Sequence, residues 1–248
     1  MSTRFARSCL ALFFAVATAF TPNREPTQAA QVVIDPRIEA AAAATQELYS
    51  LRFNAETTVK IGASGEPTRA FSGRGAYQDE ARAHLIAEPV GFPRSETIAI
   101  GSIVWTMGED GDWSQGVQNT PTFIPFSFAF NLRAQAEYLS NLRASQAGSQ
   151  TVLTGDIDVN SAIADKSPTV YNIGADYGGG LEFGTEIVSA SITIAIENAQ
   201  NYLRSIETNL TIRVPEGVEG VPPGLVTIVT NLRLSNFNDP TVSVDPPV

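Results

Sequence analysis

The sequence predicts an α+β domain built on one large, mostly antiparallel sheet that curls, and three observations carry that expectation. First, Leu51, Phe53, Ala55, Thr57, Val59 and Ile61 alternate with Arg52, Asn54, Glu56, Thr58 and Lys60, a period of two that gives a sheet one wet and one dry face. Second, the segments 187–197, 203–214 and 225–234 repeat the pattern, with Val188, Ala190, Ile192, Ile194 and Ile196 in the first of them. Third, Gly73 and Gly75 sit inside a strand candidate, where glycines mark a bend or a bulge. A dry face must be covered, and what covers it decides the function.

In a chain of 248 residues with 43% hydrophobic and 17% charged content, one sizeable domain is expected. Arg4 and Arg7 precede a small-and-apolar run over 9–19, a signal-peptide core in length and well short of the twenty or so residues of a membrane span. Ala17-Thr18-Ala19 matches a cleavage site. The expected organisation is therefore a signal at 1–19, with cleavage at the latest near 30, a tether at 20–34 and a domain at 35–248, in an exported protein. The formal net charge is −10; losing the two arginines of the leader makes it −12. That acidity disfavours nucleic acid and anionic membrane surfaces as electrostatic partners. The single cysteine, Cys9, lies within the leader, so no disulfide is expected after cleavage. Cys9 opens the apolar run rather than following it, which is no lipoprotein box, and no lipid anchor is expected through it.

Along the domain, Asp35-Pro36 opens a helix, with the aspartate as N-cap and proline at the first helical position, and Ile38, Ala42, Thr45 and Tyr49 continue it to about Ser50. Its alanines, 40–44, make it slim enough to pack closely on a sheet. After the first strand comes a turn at 62–67, then strands at 71–77 and 82–87. Across 96–107 the apolar positions shift from Ile98 and Ile100 to Ile103, Trp105 and Met107, which suggests a tight turn at Gly101-Ser102. The acidic stretch Glu109-Asp110-Gly111-Asp112-Trp113 turns the chain; an EF-hand loop from Asp110 would need glycine and glutamate where Gln115 and Pro121 stand, so a hairpin rather than a metal site is expected.

Within 121–142, Phe123, Phe126, Phe128 and Phe130 crowd together, followed by Leu132, Ala136, Leu139 and Leu142 on one helical stripe. The phenylalanines suit core plugs and a ligand-facing wall equally. Residues 151–159 return to alternation. The stretch 164–185, with Gly174, Gly178, Gly179, Gly180 and Gly184, has no P-loop spacing and reads as a loop. The tail, Phe237 to Pro247, is expected to end as a short edge segment.

Catalytic machinery is not expected. The one histidine, His84, stands in register with Arg82 and Ile86; there is no G-x-S-x-G elbow, no cysteine nucleophile outside the leader and no histidine cluster for zinc. Asp156, Asp158, Glu182 and Glu186 are plentiful acids with no signature of a catalytic pair.

The order of leader, capped helix, meander, helical insert, the strand with Leu153-Thr154-Gly155, long hairpin and closing Phe237-Asn238-Asp239-Pro240 resembles the exported LppX/LprAFG-type bacterial lipoproteins and, more distantly, the LolA-like lipoprotein carriers. Its most specific pieces are Glu96-Thr97-Ile98-Ala99-Ile100-Gly101 leading to Trp105 and Trp113, and Asn201-Tyr202-Leu203-Arg204. The resemblance implies an unclosed half-barrel with an N-terminal helix and a helical insert on its concave side, holding acylated lipid or lipoprotein acyl chains in an apolar cavity. It also implies a membrane-associated donor or acceptor protein and a monomer. This chain departs from the family pattern in having no cysteine at the mature N-terminus.

An apolar lining suffices for such a ligand, because a C16 chain gains about 0.8 kcal/mol per buried methylene, roughly 10 kcal/mol or more before costs. The expected lining is Phe53, Ala55, Val59, Leu85, Ile98, Ile100, Trp105, Phe126, Phe128, Phe130, Leu139, Ile192, Ile194, Leu210, Ile212, Val226 and Ile228, with no cofactor. The competing expectation is an envelope structural or adaptor protein on the same scaffold with a filled core.

Overall fold

Alternation in the first strand translates directly into burial: Leu51, Phe53, Ala55, Thr57 and Val59 are buried while Arg52, Asn54 and Glu56 are exposed. The computed structural model describes residues 34–79, 82–117, 132–133, 136–158, 161, 186–217 and 223–247. Its elements are helix α1 (Pro36–Gln46) and strands β1 (Ser50–Ile61), β2 (Thr68–Gln78), β3 (Arg82–Pro89), β4 (Ser95–Ile100), β5 (Ile103–Met107), β6 (Trp113–Val117), β7 (Leu139–Ala147), β8 (Gln150–Ile157), β9 (Glu186–Glu197), β10 (Leu203–Val214) and β11 (Gly224–Ser235). All eleven strands form one antiparallel sheet in the order β6-β5-β4-β3-β2-β1-β11-β10-β9-β8-β7. Among the described residues the sheet is not closed, and β6 and β7 are its edges. It is the expected unclosed half-barrel.

One apolar cluster runs along the inner face from Leu85 of β3 through Phe53 of β1, Leu234 of β11, Ile206 of β10 and Ile194 of β9 to Leu153 of β8, and it takes in Ile38, Ala41 and Ala42 of α1. The helix is about 16 Å long at 1.5 Å per residue and covers the middle of that row.

Helix α1 begins as expected: the Asp35 side chain accepts from the Arg37 backbone N–H at 2.9 Å, and Pro36 takes the first position. It ends at Gln46 rather than near Ser50 because the next backbone groups are taken elsewhere. Tyr49 N–H donates to Asn238 Oδ1, the Tyr49 carbonyl accepts from Asp79 N–H, and the Ser50 carbonyl accepts from Asn238 N–H. The alanines do bring helix and sheet together: Ala41 and Ala42 are fully buried.

Three further expectations are corrected. Leu139 and Leu142 lie in β7, not on a helical stripe; of the insert, Leu132, Arg133 and Ala136 are helical. A bulge between Ser140 and Arg143, with Asn141 at φ 54°, adds one residue to the strand, so leucines three apart imitate a helical spacing. Gly73 and Gly75 do not bulge, since β2 pairs with β3 without a shift; the irregularity between β1 and β2 falls at Thr57/Thr58. Gly75 instead makes room for Phe53, whose ring occupies the place a Cβ at 75 would take. The tail, finally, is no edge segment. It crosses the outer face, burying Val242 and Val244 on Ala76 and Ile98, beside Ile100, Trp105 and Trp113.

Candidate functional site

Cross-strand register assigns every inward-facing side chain. Phe53 pairs with Leu234 and Gly75, Ala55 with Leu232 and Gly73, and Val59 with Ile228. On the other arm Leu232 continues to Ile206, Ile194 and Leu153, while Ile228 continues to Leu210 and Ala190. These rows build the inner face, the one α1 covers.

That face divides in two. Around α1 it is packed solid, with Ile38, Leu51, Leu132, Leu153, Ile194 and Leu203 at 0% exposure. At the other end of the strands, a second cluster of Val59, Leu210, Ile212, Val214, Val226 and Ile228 takes nothing from α1, and half-buried Ile61, Ala70, Tyr138, Ile157, Ile187 and Ala190 flank it. Between the two lies a threonine row, in which buried Thr57 Oγ1 stands 3.2 Å from Thr230 Oγ1. One of the two hydroxyls donates to the other, so each makes a hydrogen bond inside an otherwise aliphatic face.

The expected lining residues among the described ones are thus distributed over four places. Phe53, Ile192 and Ile194, with Leu85 and Leu139 against them, join the cluster under α1. Val59, Leu210, Ile212, Val226 and Ile228 form the second cluster, and Ala55 packs with Phe71 and Ala87. Ile98, Ile100 and Trp105 are on the opposite face, under the C-terminal segment. The register Phe53, Gly75, Leu85, Thr97 puts Thr97 inward and its neighbours Ile98 and Glu96 outward. The turn at Gly101-Ser102 is as expected, with Gly101 at φ 60° and Ile100 opposite Ile103, and it keeps Ile98 and Trp105 together on that outer side. Phe126, Phe128 and Phe130 lie outside the described residues, as do the leader, Cys9 and Gly174 to Gly184.

Polar chemistry is on the outer face. His84 there pairs with Glu96 Oε1 at 2.8 Å, and the other Glu96 oxygen accepts from Arg94. In the acidic turn, Asp110 Oδ1 accepts from the Asp112 backbone N–H, an arrangement that closes the hairpin with Gly111 at φ 87°. At the start of α1, hydrogen bonds from Arg37 hold the Asp35 carboxyl below its ordinary value against the opposing effect of burial. Sequence reasoning missed the outer-face role of the tail, although the signal existed in Val242 and Val244 alternating with Thr241, Ser243 and Asp245.

No family model matches the sequence, and no curated protein does. Among solved structures, the chain is similar to LprF from Mycobacterium bovis, with 16% identity and a TM-score of 0.47 over 87% of this chain and 99% of that one. It is similar to a LolA superfamily protein from Nitrosomonas europaea, at 10% identity and a TM-score of 0.29 over 87% and 96%. A putative outer membrane lipoprotein-sorting protein domain from Vibrio parahaemolyticus gives 10% and 0.25 over 82% and 92%. Among the described residues, no helix is long and apolar enough to cross a membrane.

Proposed function

We propose that the protein is an exported lipid carrier that holds acyl chains against the apolar inner face of its half-barrel, and that it is not an enzyme. The observation that carries this reading is the second inner-face cluster: an aliphatic wall on β1, β10 and β11, rimmed by half-buried Ile61, Tyr138, Ile187 and Ala190, to which α1 adds no side chain. An aliphatic wall binds by area rather than by directional bonds, which suits an acyl chain. The same reading takes the leader as cleaved after Ala19, leaves the protein without an anchor at Cys9, and has the monomer meet a membrane-associated donor or acceptor protein.

Mass spectrometry of organic extracts from purified protein tests it, together with uptake of a fluorescent fatty acid. Co-purified lipid and saturable uptake are expected, and Ile187→Glu should weaken uptake at least tenfold by placing a charge against the wall. A clean protein that takes up no fatty acid ends the reading. One observation favours the alternative of an adaptor with a filled core: under α1 the inner face is closed by Ile38, Leu132, Leu153 and Ile194 at 0% exposure. That half of the face offers a guest no room; in the other half Val59, Val226 and Ile228 are themselves 1–3% exposed, so a guest must enter beside half-buried Ile61, Tyr138 and Ile187.

A further inference from the structure

The outer face holds a cleft of about 380 Å³ that the carrier reading leaves unused. Its floor is β2, β1 and β11. Asn54 of β1 is the cross-strand partner of Arg74 on one side and Arg233 on the other; the next row along the strands is Ser72, Glu56 and Asn231. Arg69, opposite Thr58, lines the far end. Neighbouring strands are about 4.8 Å apart, so Arg74 and Arg233 rise from backbones about 10 Å apart, with only the neutral Asn54 between them.

Both guanidinium groups keep free donors. Arg74 reaches Glu88 through Nη1 alone, at 3.5 Å, and Arg233 donates to Asn231 through Nε alone, at 3.2 Å. Among the described residues Arg69 has no side-chain partner, and neither has Glu56. The cleft's remaining carboxylate, Glu88, is held by Arg74 and by Ser72 Oγ. The cations lining the cleft are all arginines, whose planar forks match the oxygens of a tetrahedral oxyanion in a way that a lysine does not. The chain as a whole carries −10, so general attraction does not gather anions here; only local geometry does. Next to the arginine row, Glu56 and the Ser72 hydroxyl present acceptors, which call for hydroxyl donors on the same ligand.

We propose that this cleft binds a phosphate group esterified to a small polyol, the phosphate clamped over Asn54 by Arg74 and Arg233 and the polyol hydroxyls donating to Glu56 and Ser72. That chemistry belongs equally to a free glycerol phosphate and to the headgroup of a glycerophospholipid. The site is on the face opposite the proposed acyl wall, so its test is independent of fatty-acid uptake.

Titration calorimetry at low salt with glycerol 3-phosphate, and separately with inorganic phosphate, should show saturable binding of both and tighter binding of the ester. Arg74→Gln and Arg233→Gln should each weaken it about tenfold, the scale of a lost charge-assisted hydrogen bond. Arg74→Lys should recover only part of the loss, because it restores charge without the fork. Arg213→Gln, on the same face but outside the cleft and paired with Glu186, should change nothing. Sedimentation with phosphatidylglycerol vesicles, against phosphatidylcholine controls, separates the sources. Pelleting competed by glycerol 3-phosphate assigns the lipid headgroup, and ester binding without pelleting assigns the free ester. Absence of saturable binding to either phosphate, or an Arg213→Gln effect as large as the cleft variants', overturns the proposal. Vesicle binding that ignores Arg74 and Arg233 overturns it as well.

Discussion

Replacing Val242 and Val244 together with alanine should loosen the C-terminal segment from the outer face. The two side chains are 1% and 2% exposed, so each substitution removes two fully buried carbon groups. At about 0.8 kcal/mol per group the four are worth about 3 kcal/mol, rising toward 5 kcal/mol if the surroundings do not close over the gap. The two backbone anchors of Val244, its N–H on Gln78 Oε1 at 2.8 Å and its carbonyl on Arg82 Nη1 at 3.3 Å, are unaltered by the change. They add about 1 kcal/mol apiece, too little to hold the segment once its apolar contacts are gone. The readout is built in, because Trp105 and Trp113 are the two tryptophans of the chain and both pack on this cluster. The double variant should show red-shifted tryptophan emission with unchanged far-ultraviolet circular dichroism, and a urea midpoint lowered by the equivalent of about 3 kcal/mol. An emission maximum that does not move, with a midpoint within about 0.5 kcal/mol of the parent, would refute the assignment of these valines as the clamp.

Other outcomes follow from the same structure. Gly75→Ala should destabilise by about 3 kcal/mol, the upper range for overpacking, since a Cβ there overlaps both the Phe53 ring and the His84 carbonyl oxygen; adding Phe53→Ala should recover nothing beyond the ring's share, as measured by a double-mutant cycle in urea. Asp35→Ala should cost about 1 kcal/mol through loss of the helix N-cap. Because the Asp35 carboxyl is held below its ordinary value in the folded state, its contribution is complete above that ordinary value, about 3.9, and fades as pH falls through the lower folded one; the stability gap between parent and variant should therefore shrink only in strong acid. Leu153→Ala, at 0% exposure beneath α1, should cost about 2–5 kcal/mol by thermal or urea unfolding, without altering fatty-acid uptake at the other end of the face.

Much of the sheet was legible because its period is short and its turns are chemically marked. Leu51 to Ile61 alternates without a break, and Gly101-Ser102 names its own hairpin. Irregular positions hid the rest. One extra residue at Asn141 made β7 imitate a helix, and a similar slip between Leu203 and Ser205 breaks the alternation at the start of β10. Face assignment was harder still. Ile98 and Trp105 are as apolar as Phe53, and only the count of residues across the β2–β3 and β3–β4 pairings tells which side of the sheet they occupy. The outer cleft was illegible for a related reason: Arg74, Asn54 and Arg233 are brought into one row by pairing between β1 and β11, which a single sequence does not announce.

The strand order also fixes how the molecule must come together. Strands β1 to β6 are laid down one after another, as are β7 to β11, and just one neighbouring pair, β1 with β11, joins residues from opposite ends of the chain through ten paired positions from Arg52–Ser235 to Ile61–Val226. Each run of strands can zip locally, but the seam needs the last strand and closes at the entropic cost of a very long loop. Docking of the two wings is therefore the step expected to limit folding, and two separately expressed fragments carrying those wings should reunite along the seam.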